Sequence, residues 1–399
     1  MSGTATGGSA STGPASTGPA SSSTSSWFQR LLLPGFAFKA AVIGGGYATG
    51  RELAEYFIPS GPQGGVMAIA VAMVCWSVLC ALTFALAQAT RSFDYLSFFN
   101  TLLGPFAFVF EIAYVVFMVL ILAVFGAAAG AIGQAMFGWP ALVGTLLLMA
   151  GIGAFTAFGN RSVERLFQWV SFFLYGVYVL FFVFVLAGFG GQAMNHFSTP
   201  VPTDGWLSGG LTYAGYNIVG AVMVLPLARH FRSRRDAVVA GVLAGPLAML
   251  PGLLFFICMI AWYPQIGEQA LPSDYILRQL NMPVFHLLFE MMIFSALLES
   301  GAAAVHAANE RVAATWRARR GVELPIGGRF AIAVALLVGS IFIADRFGLV
   351  TLIASGYRAL AYLFLAVYVL PVLTIGVWRL SRRSPQPAAA AQPHTLQGE

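Results

Sequence analysis

Apolar residues run along this chain in long blocks, without the period of 3.6 or 2 that marks a helix or strand with one wet face. Ten blocks approach the roughly 20 apolar residues that a membrane span needs. They fall at residues 35–58, 64–90, 104–136, 139–159, 163–189, 206–228, 236–263, 284–316, 326–346 and 348–378. The last two are parted only by "ADRFG". Between the seventh and eighth lies "GEQALPSDYILRQLNMP". There Asp274 is expected to cap a short amphipathic helix running to about Leu280 and closed by Pro283, lying across the outer surface. Residues 1–26 are Ser, Thr, Gly, Ala and Pro apart from Met1, a composition that cannot bury a core and lacks the basic start of a signal peptide. The pattern predicts an all-α polytopic membrane protein. Residues 1–30 and 384–399 are expected to be disordered tails around a domain at 31–383, with halves at about 35–189 and 206–378.

Composition agrees. Hydrophobic residues make up 58% and charged residues 9% of 399, where soluble domains carry about 25% charged. The net charge of +6 is nearly all arginine and sits in short breaks between blocks, so it sets orientation and does not mark a nucleic-acid partner. With the N-terminus in the cytoplasm, 17 of the 21 basic residues fall inside. Arg51, Arg278 and Arg346 then lie outside, and Arg358 lies within the last span. This bias predicts that both termini are cytoplasmic. The four arginines of "ARHFRSRRDA" serve that orientation, with anionic lipid headgroups as an alternative partner. Cys75, Cys80 and Cys258 all lie in apolar blocks and have no disulfide or metal spacing.

The first block contains "AVIGGGYATGRELAEYF". Glycine in a helix interior costs about 1 kcal/mol relative to alanine. Gly44, Gly45 and Gly46, followed by Thr49 and Gly50, therefore predict an unwound point. Irregular backbone at membrane depth survives only where protein covers it or a wet cavity meets it. Tight helix packing through small residues is the alternative. Arg51, Glu52 and Glu55 would then fall toward the outer end, near water. The sixth block carries Gly209, Gly210, Gly215 and Gly220 around Tyr213, Tyr216 and Asn217, and is a second break candidate. Interrupted spans at matching positions of two halves point to a transporter binding site. Halves of five spans each would be inverted relative to one another.

The stretches "GGGYATGRELAEYF", "SGPQGGVMAIAVAMVCWSVL" and "YAGYNIVGAVMVLPLARHFRSRRDAVVAGVLAG" resemble the YkvI-type uncharacterised bacterial membrane proteins. These belong with the amino acid–polyamine–organocation superfamily, which has the LeuT fold. The resemblance covers roughly residues 35 to 380. It implies ten transmembrane helices in a 5+5 inverted repeat, with helices 1 and 6 discontinuous. The substrate would lie between spans 1, 3, 6 and 8. Ile43 to Gly50, with Gly44, Gly45, Gly46, Tyr47 and Thr49, would form the first unwound segment. Tyr213 to Asn217, with Gly215 and Tyr216, would form the second. Many relatives bind sodium between carbonyls of span 1, here Ile43, and a hydroxyl pair of span 8. At that place "FSALLESGAAAVHAANER" has Glu299 and Ser300, a carboxylate for one hydroxyl, with Ala296 one turn before.

An ionisable side chain inside a span is a functional candidate by default. Glu299, near the middle of span 8, could carry a coupling proton, neutralise a cation or pair with Arg358. Secondary candidates are Glu111, Arg358, Lys39 and Ser295. Glu111 either faces the cavity or pairs with a basic loop residue. Lys39 either snorkels to the cytoplasmic face or joins a gate. Glu290 is expected to be partly wet, and His306 to be a satisfied polar side chain. Tyr47, Tyr114, Tyr213 and Tyr216 have hydroxyls that could serve a cavity.

The expected function is secondary active transport of a small solute by alternating access, coupled to a cation or proton. By resemblance the solute is an amino acid or a related amine or carboxylate. A transporter-fold sensor, or an accessory protein that binds ligand without flux, is the alternative. The chain has no nucleophile–base–orienter set, metal-ligand cluster or phosphate loop, so no enzyme is expected. No cofactor is expected beyond Na+ or H+ as coupling ion. The expected partners are the substrate and the lipid bilayer, not nucleic acid, and the sequence carries no sign of an oligomeric state.

Overall fold

Seventeen α-helices account for most of the chain in this computed structural model, which describes residues 26–158 and 160–382. Of the tails expected at 1–30 and 384–399, residues 1–25 and 384–399 lie outside the described residues. The helices are α1 (Trp27–Leu31), α2 (Leu33–Val42), α3 (Gly45–Ala48), α4 (Arg51–Tyr56), α5 (Gly61–Thr90), α6 (Tyr95–Leu103) and α7 (Ala107–Phe137). Next come α8 (Ala141–Phe158), α9 (Asn160–Ser198), α10 (Trp206–Asn217), α11 (Gly220–Met223), α12 (Arg234–Ile260), α13 (Pro272–Leu280) and α14 (Pro283–Arg320). The last are α15 (Ile326–Thr351), α16 (Arg358–Phe364) and α17 (Val377–Arg382), joined by π-type turns. Among the described residues there is no strand.

Caps set several ends. Ser26 and Gln29 form a capping box that starts α1 inside the segment expected to be tail. Asp94 caps α6 and Ser233 caps α12 through the backbone N–H three residues on. Asp274 does not cap α13. Its N-cap is Leu271 with Pro272 at N1, which puts Asp274 in the first turn with its side chain buried.

Among the described residues six stretches are long and apolar enough to cross a membrane: Arg51–Thr90, Tyr95–Phe137, Phe173–Ser198, Arg234–Ile260, Pro283–Arg317 and Ile326–Arg382. Leu33–Val42 and Ala141–Thr156 are shorter apolar helices. The chain is a multi-pass membrane protein. The stretch from Ile326 to Arg382 bends at Gly348, whose φ of 70° and ψ of 170° interrupt the helical ladder inside "ADRFG".

Small residues bring the helices together. A Cβ on Gly241 of α12 would lie 2.3 Å from the Ala81 backbone of α5, so these two helices touch main chain to main chain. The polar contacts gather at two ends of the bundle. At the arginine-rich end, Arg30 pairs with Asp236 at 3.2 Å, Arg311 with Glu111 at 2.9 Å, and Arg329 with Glu310. At the opposite end, Arg51 donates to the carbonyls of Gly267 and Gln269, both at 2.9 Å, and Ser273 N–H donates to Thr49 O at 3.0 Å.

Candidate functional site

The segment after α2 breaks where the glycines begin. Ile43 adopts φ −74° and ψ 88°, and Gly44 N–H reaches back to Val42 O at 2.9 Å, the geometry of an inverse γ-turn. One turn of α3 follows. Gly50 then takes φ 76°, a left-handed conformation that glycine adopts without a Cβ penalty, and α4 starts in a new direction. Thr49 Oγ1 donates to Gly46 O at 3.0 Å across the turn.

This turn delivers Glu52 into the protein interior. Glu52 is 3% exposed, not near water as the sequence suggested. Tyr216 Oη of α10 donates to its carboxylate at 2.5 Å. Gly46 makes room for it, since a Cβ there would fall 2.4 Å from Glu52 Oε1.

Aromatic rings surround this pair. Tyr47, Tyr56, Tyr213, Tyr216 and Tyr357 are all buried. Tyr216 lies over Tyr357 with centroids 4.4 Å apart, and Tyr213 meets Phe57 edge-on at 4.8 Å. Tyr56 Oη donates to Ile353 O at 2.6 Å, and Trp76 Nε1 donates to Ala214 O at 3.2 Å. The hydroxyls of Tyr47 and Tyr213 have no hydrogen-bond partner. An unpartnered buried hydroxyl costs roughly 1–3 kcal/mol, so these two are donors waiting for an acceptor.

The second expected break is not found at Tyr213 to Asn217, which are helical, with Asn217 donating to Tyr213 O at 3.2 Å. A turn at Ile218–Val219 separates α10 from α11, but its dihedrals stay right-handed helical, at φ −61° and ψ −20°, then φ −54° and ψ −28°. The early glycines of this span serve packing instead. A Cβ on Gly209 would lie 2.2 Å from Tyr56 O, and one on Gly210 2.5 Å from Ala68 O.

The other candidates are spread out. Glu299 and Ser300 are half-buried on α14, and neither has a hydrogen bond or ion pair among the described residues. Glu299 does not meet Arg358, which faces Glu55 of α4 at 3.9 Å instead. Ser295 donates back to Met291 O in its own helix. Glu111 is a structural partner, held by Arg311 of α14. That guanidinium also sits 3.6 and 3.9 Å from the ring centroids of Tyr95 and Tyr114, so Tyr114 serves this ion pair and not the central site. Lys39 does not snorkel. It is 5% exposed, bonded to Tyr175 and over that ring. Glu290 is not wet either, at 3% exposure.

On the face opposite the arginine-rich end, Arg51, Ala54, Glu55, Pro59, Tyr263 and Gly267 wall a pocket of about 350 Å³. Arg51 Nη2 contacts Glu55 at 2.5 Å along its wall. Solution therefore reaches α4 one turn from Glu52 without reaching Glu52 itself.

Sequence reasoning placed Glu52 wrongly because it set Glu52 by its position toward the outer end of the span and not by the direction in which the chain leaves Gly50. The signal was present: "GRE" puts a carboxylate two residues after a glycine able to redirect the chain.

No protein-family model matches the chain. It is 23% identical over 337 residues to a Bacillus subtilis membrane protein, YkvI, covering 83% of this chain and 92% of that one. Among solved structures, a manganese transporter of Eremococcus coleocola aligns with a TM-score of 0.50 and 15% identity, over 89% of this chain and 80% of that one. MhsT in complex with L-phenylalanine aligns with a TM-score of 0.49 and 14% identity, over 89% and 97%. The likeness to the manganese transporter gives the chain an all-helical fold of the LeuT type.

Proposed function

We propose that this protein is a secondary active transporter of a small solute, coupled to a proton or to a cation such as Na+. The observation that carries this reading is the Glu52–Tyr216 contact. A sealed carboxylate on the segment just past a backbone break is bonded at 2.5 Å to a hydroxyl on α10. Protonating Glu52, or giving it a cation, changes the bond that holds α4 to α10. A solute arriving at the same place can offer the acceptor that Tyr47 and Tyr213 lack. Occupancy of the site and packing of two elements are then linked, as alternating access requires.

The fold supports the same reading, and so does the broken backbone between Ile43 and Gly50. Divided at Gly348, and with the shorter apolar helices and the α10–α11 segment (Trp206–Asn217 and Gly220–Met223) included, the chain would make ten spans, the first and sixth interrupted. The substrate, an amino acid or related amine or carboxylate, would be held by Gly44 to Gly50 and by Tyr213, Tyr216 and Asn217. Glu52 takes the main coupling role. Glu299 and Ser300, with the Ile43 carbonyl, would form the secondary cation site. Chemical conversion of the solute is not part of the proposal. Both termini would face the cytoplasm of a bacterial inner membrane.

The test begins with thermal shifts of purified protein against amino acids, amines and small carboxylates, with and without Na+, at acid and neutral pH. A ligand that binds the folded form raises the melting temperature. Hits then go to uptake assays in proteoliposomes with wild type and Glu52→Gln. The expected result is uptake driven by a proton or Na+ gradient in wild type, and loss of that driving in Glu52→Gln. Stabilisation by a ligand with no flux under any gradient would overturn transport in favour of a sensor.

A further inference from the structure

A second buried polar cluster lies away from α4 and α10. Asp274 of α13 and His286 and Glu290 of α14 bring one imidazole nitrogen and two carboxylates together, with candidate ligand atoms all within 4.8 Å of one another. His286 Nε2 is 2.9 Å from Asp274 Oδ1 and 4.0 Å from Glu290 Oε1. The sequence did not show this set, because Asp274 lies on a separate helix. His286 and Glu290 are one turn apart, a spacing that places two ligands on one helix face.

Glu290 makes the cluster more than an ion pair. It is 3% exposed, and among the described residues neither carboxylate oxygen has a hydrogen-bond donor. Arg278, the cation nearest the cluster, is already used: its Nε contacts Asp274 at 2.9 Å and its Nη2 donates to Ala135 O at 2.9 Å. A buried carboxylate without donor or cation is strongly disfavoured. Glu290 also lines a cavity of about 180 Å³ between α7, α8 and α14, otherwise walled mainly by apolar side chains such as Met136, Trp139 and Phe294.

We propose that Asp274, His286 and Glu290 bind a divalent transition-metal ion that ties α13 to α14. One imidazole and two carboxylates suit Zn2+, Mn2+ or Co2+. They do not suit Ca2+, which takes six to eight oxygen ligands. The ion supplies Glu290 with its missing cation and replaces the His286–Asp274 hydrogen bond with coordination to both. Because α13 packs on α9 as well as α14, the ion fixes a helix that lies against the Thr49 backbone through Ser273. The site is separate from the Glu52 cluster and does not depend on the transport reading.

The test uses the full chain in detergent, stripped with chelator and then titrated with Zn2+, Mn2+ or Ca2+, with bound metal measured after desalting. About one Zn2+ or Mn2+ per chain and a raised melting temperature are expected, with no such response to Ca2+. Glu290→Gln and His286→Ala should each weaken binding at least tenfold while melting like metal-free wild type. A readout on wild type alone guards against misfolded variants. Zn2+ should protect His286, and not His196 or His306, from diethyl pyrocarbonate, as read by peptide mass spectrometry. Wild type that holds no stoichiometric metal, unchanged binding in both variants, or unprotected His286 would each overturn the proposal.

Discussion

At the residue scale, the central site depends on an absent side chain. Gly46 lets the Glu52 carboxylate lie against the main chain, and a methyl there would sit 2.4 Å from Oε1 and 2.9 Å from Cγ. Gly46→Ala must push Glu52 off Tyr216 or shift α3. We expect a loss of about 1–3 kcal/mol in stability, the usual range for overpacking. Ligand-induced stabilisation should also be lost. Thermal melting with and without a ligand found by screening checks both. Tyr216→Phe removes the donor without adding volume. It should leave the apo melting temperature closer to wild type than Gly46→Ala does, yet alter coupling in the direction of Glu52→Gln. If Gly46→Ala melts and binds as wild type does, the close fit of Glu52 to the α3 backbone is not what holds it.

At the element scale, the joints between helices rest on a few polar clamps in an otherwise apolar bundle. Arg311 joins α14 to α7 through both oxygens of Glu111, at 2.9 and 3.3 Å, and packs between the rings of Tyr95 and Tyr114. Arg311 is well buried while Glu111 is about a third exposed, so the strength expected of a buried pair is reduced by solvent. Arg311→Ala should lower stability by about 1–2 kcal/mol, including lost ring packing, and Glu111→Gln by less. The double variant should be less destabilised than the sum of the two, which a double-mutant cycle on melting would measure. Elements of this kind were largely legible in the sequence. Long apolar blocks can only be buried or lipid-facing helices, and the short helix at Pro272–Leu280 showed its amphipathic pattern. What pattern could not give was direction across breaks. Position along the span puts Glu52 near the outer end, whereas the φ of 76° at Gly50 turns it inward. Glycines in span 6 looked alike in sequence, but Gly209 and Gly210 meet neighbouring carbonyls, which only tertiary packing reveals. Arg358 and Glu299 looked like a pair because both are charges in spans, but the pairing seen is with Glu55 on α4.

At the scale of the whole molecule, orientation and span number follow from where charge and breaks fall, and one labelling experiment reads both. Positive residues favour the cytoplasmic side, so the end that carries Arg232, Arg234, Arg311 and Arg320 should be cytoplasmic, and α13 should face out. Gln279 on α13, Val322 beyond α14 and Asp345 just before the Gly348 bend are all exposed. Each can be made the single cysteine of a chain whose Cys75, Cys80 and Cys258 are replaced by alanine. In intact cells a membrane-impermeant maleimide should label Gln279→Cys and Asp345→Cys. It should reach Val322→Cys only after permeabilisation. Labelling of Val322→Cys alone in intact cells would invert the molecule and place Glu52 behind the opposite gate. If Asp345→Cys is protected until permeabilisation, Gly348 is a kink within one span, and the ten-span count with its inverted halves fails. The bend separates these outcomes physically. A φ of 70° at Gly348 lets the chain reverse between two spans, while the continuous hydrogen-bond ladder of one long helix would carry Asp345 into the membrane, where an unpaired carboxylate is strongly disfavoured.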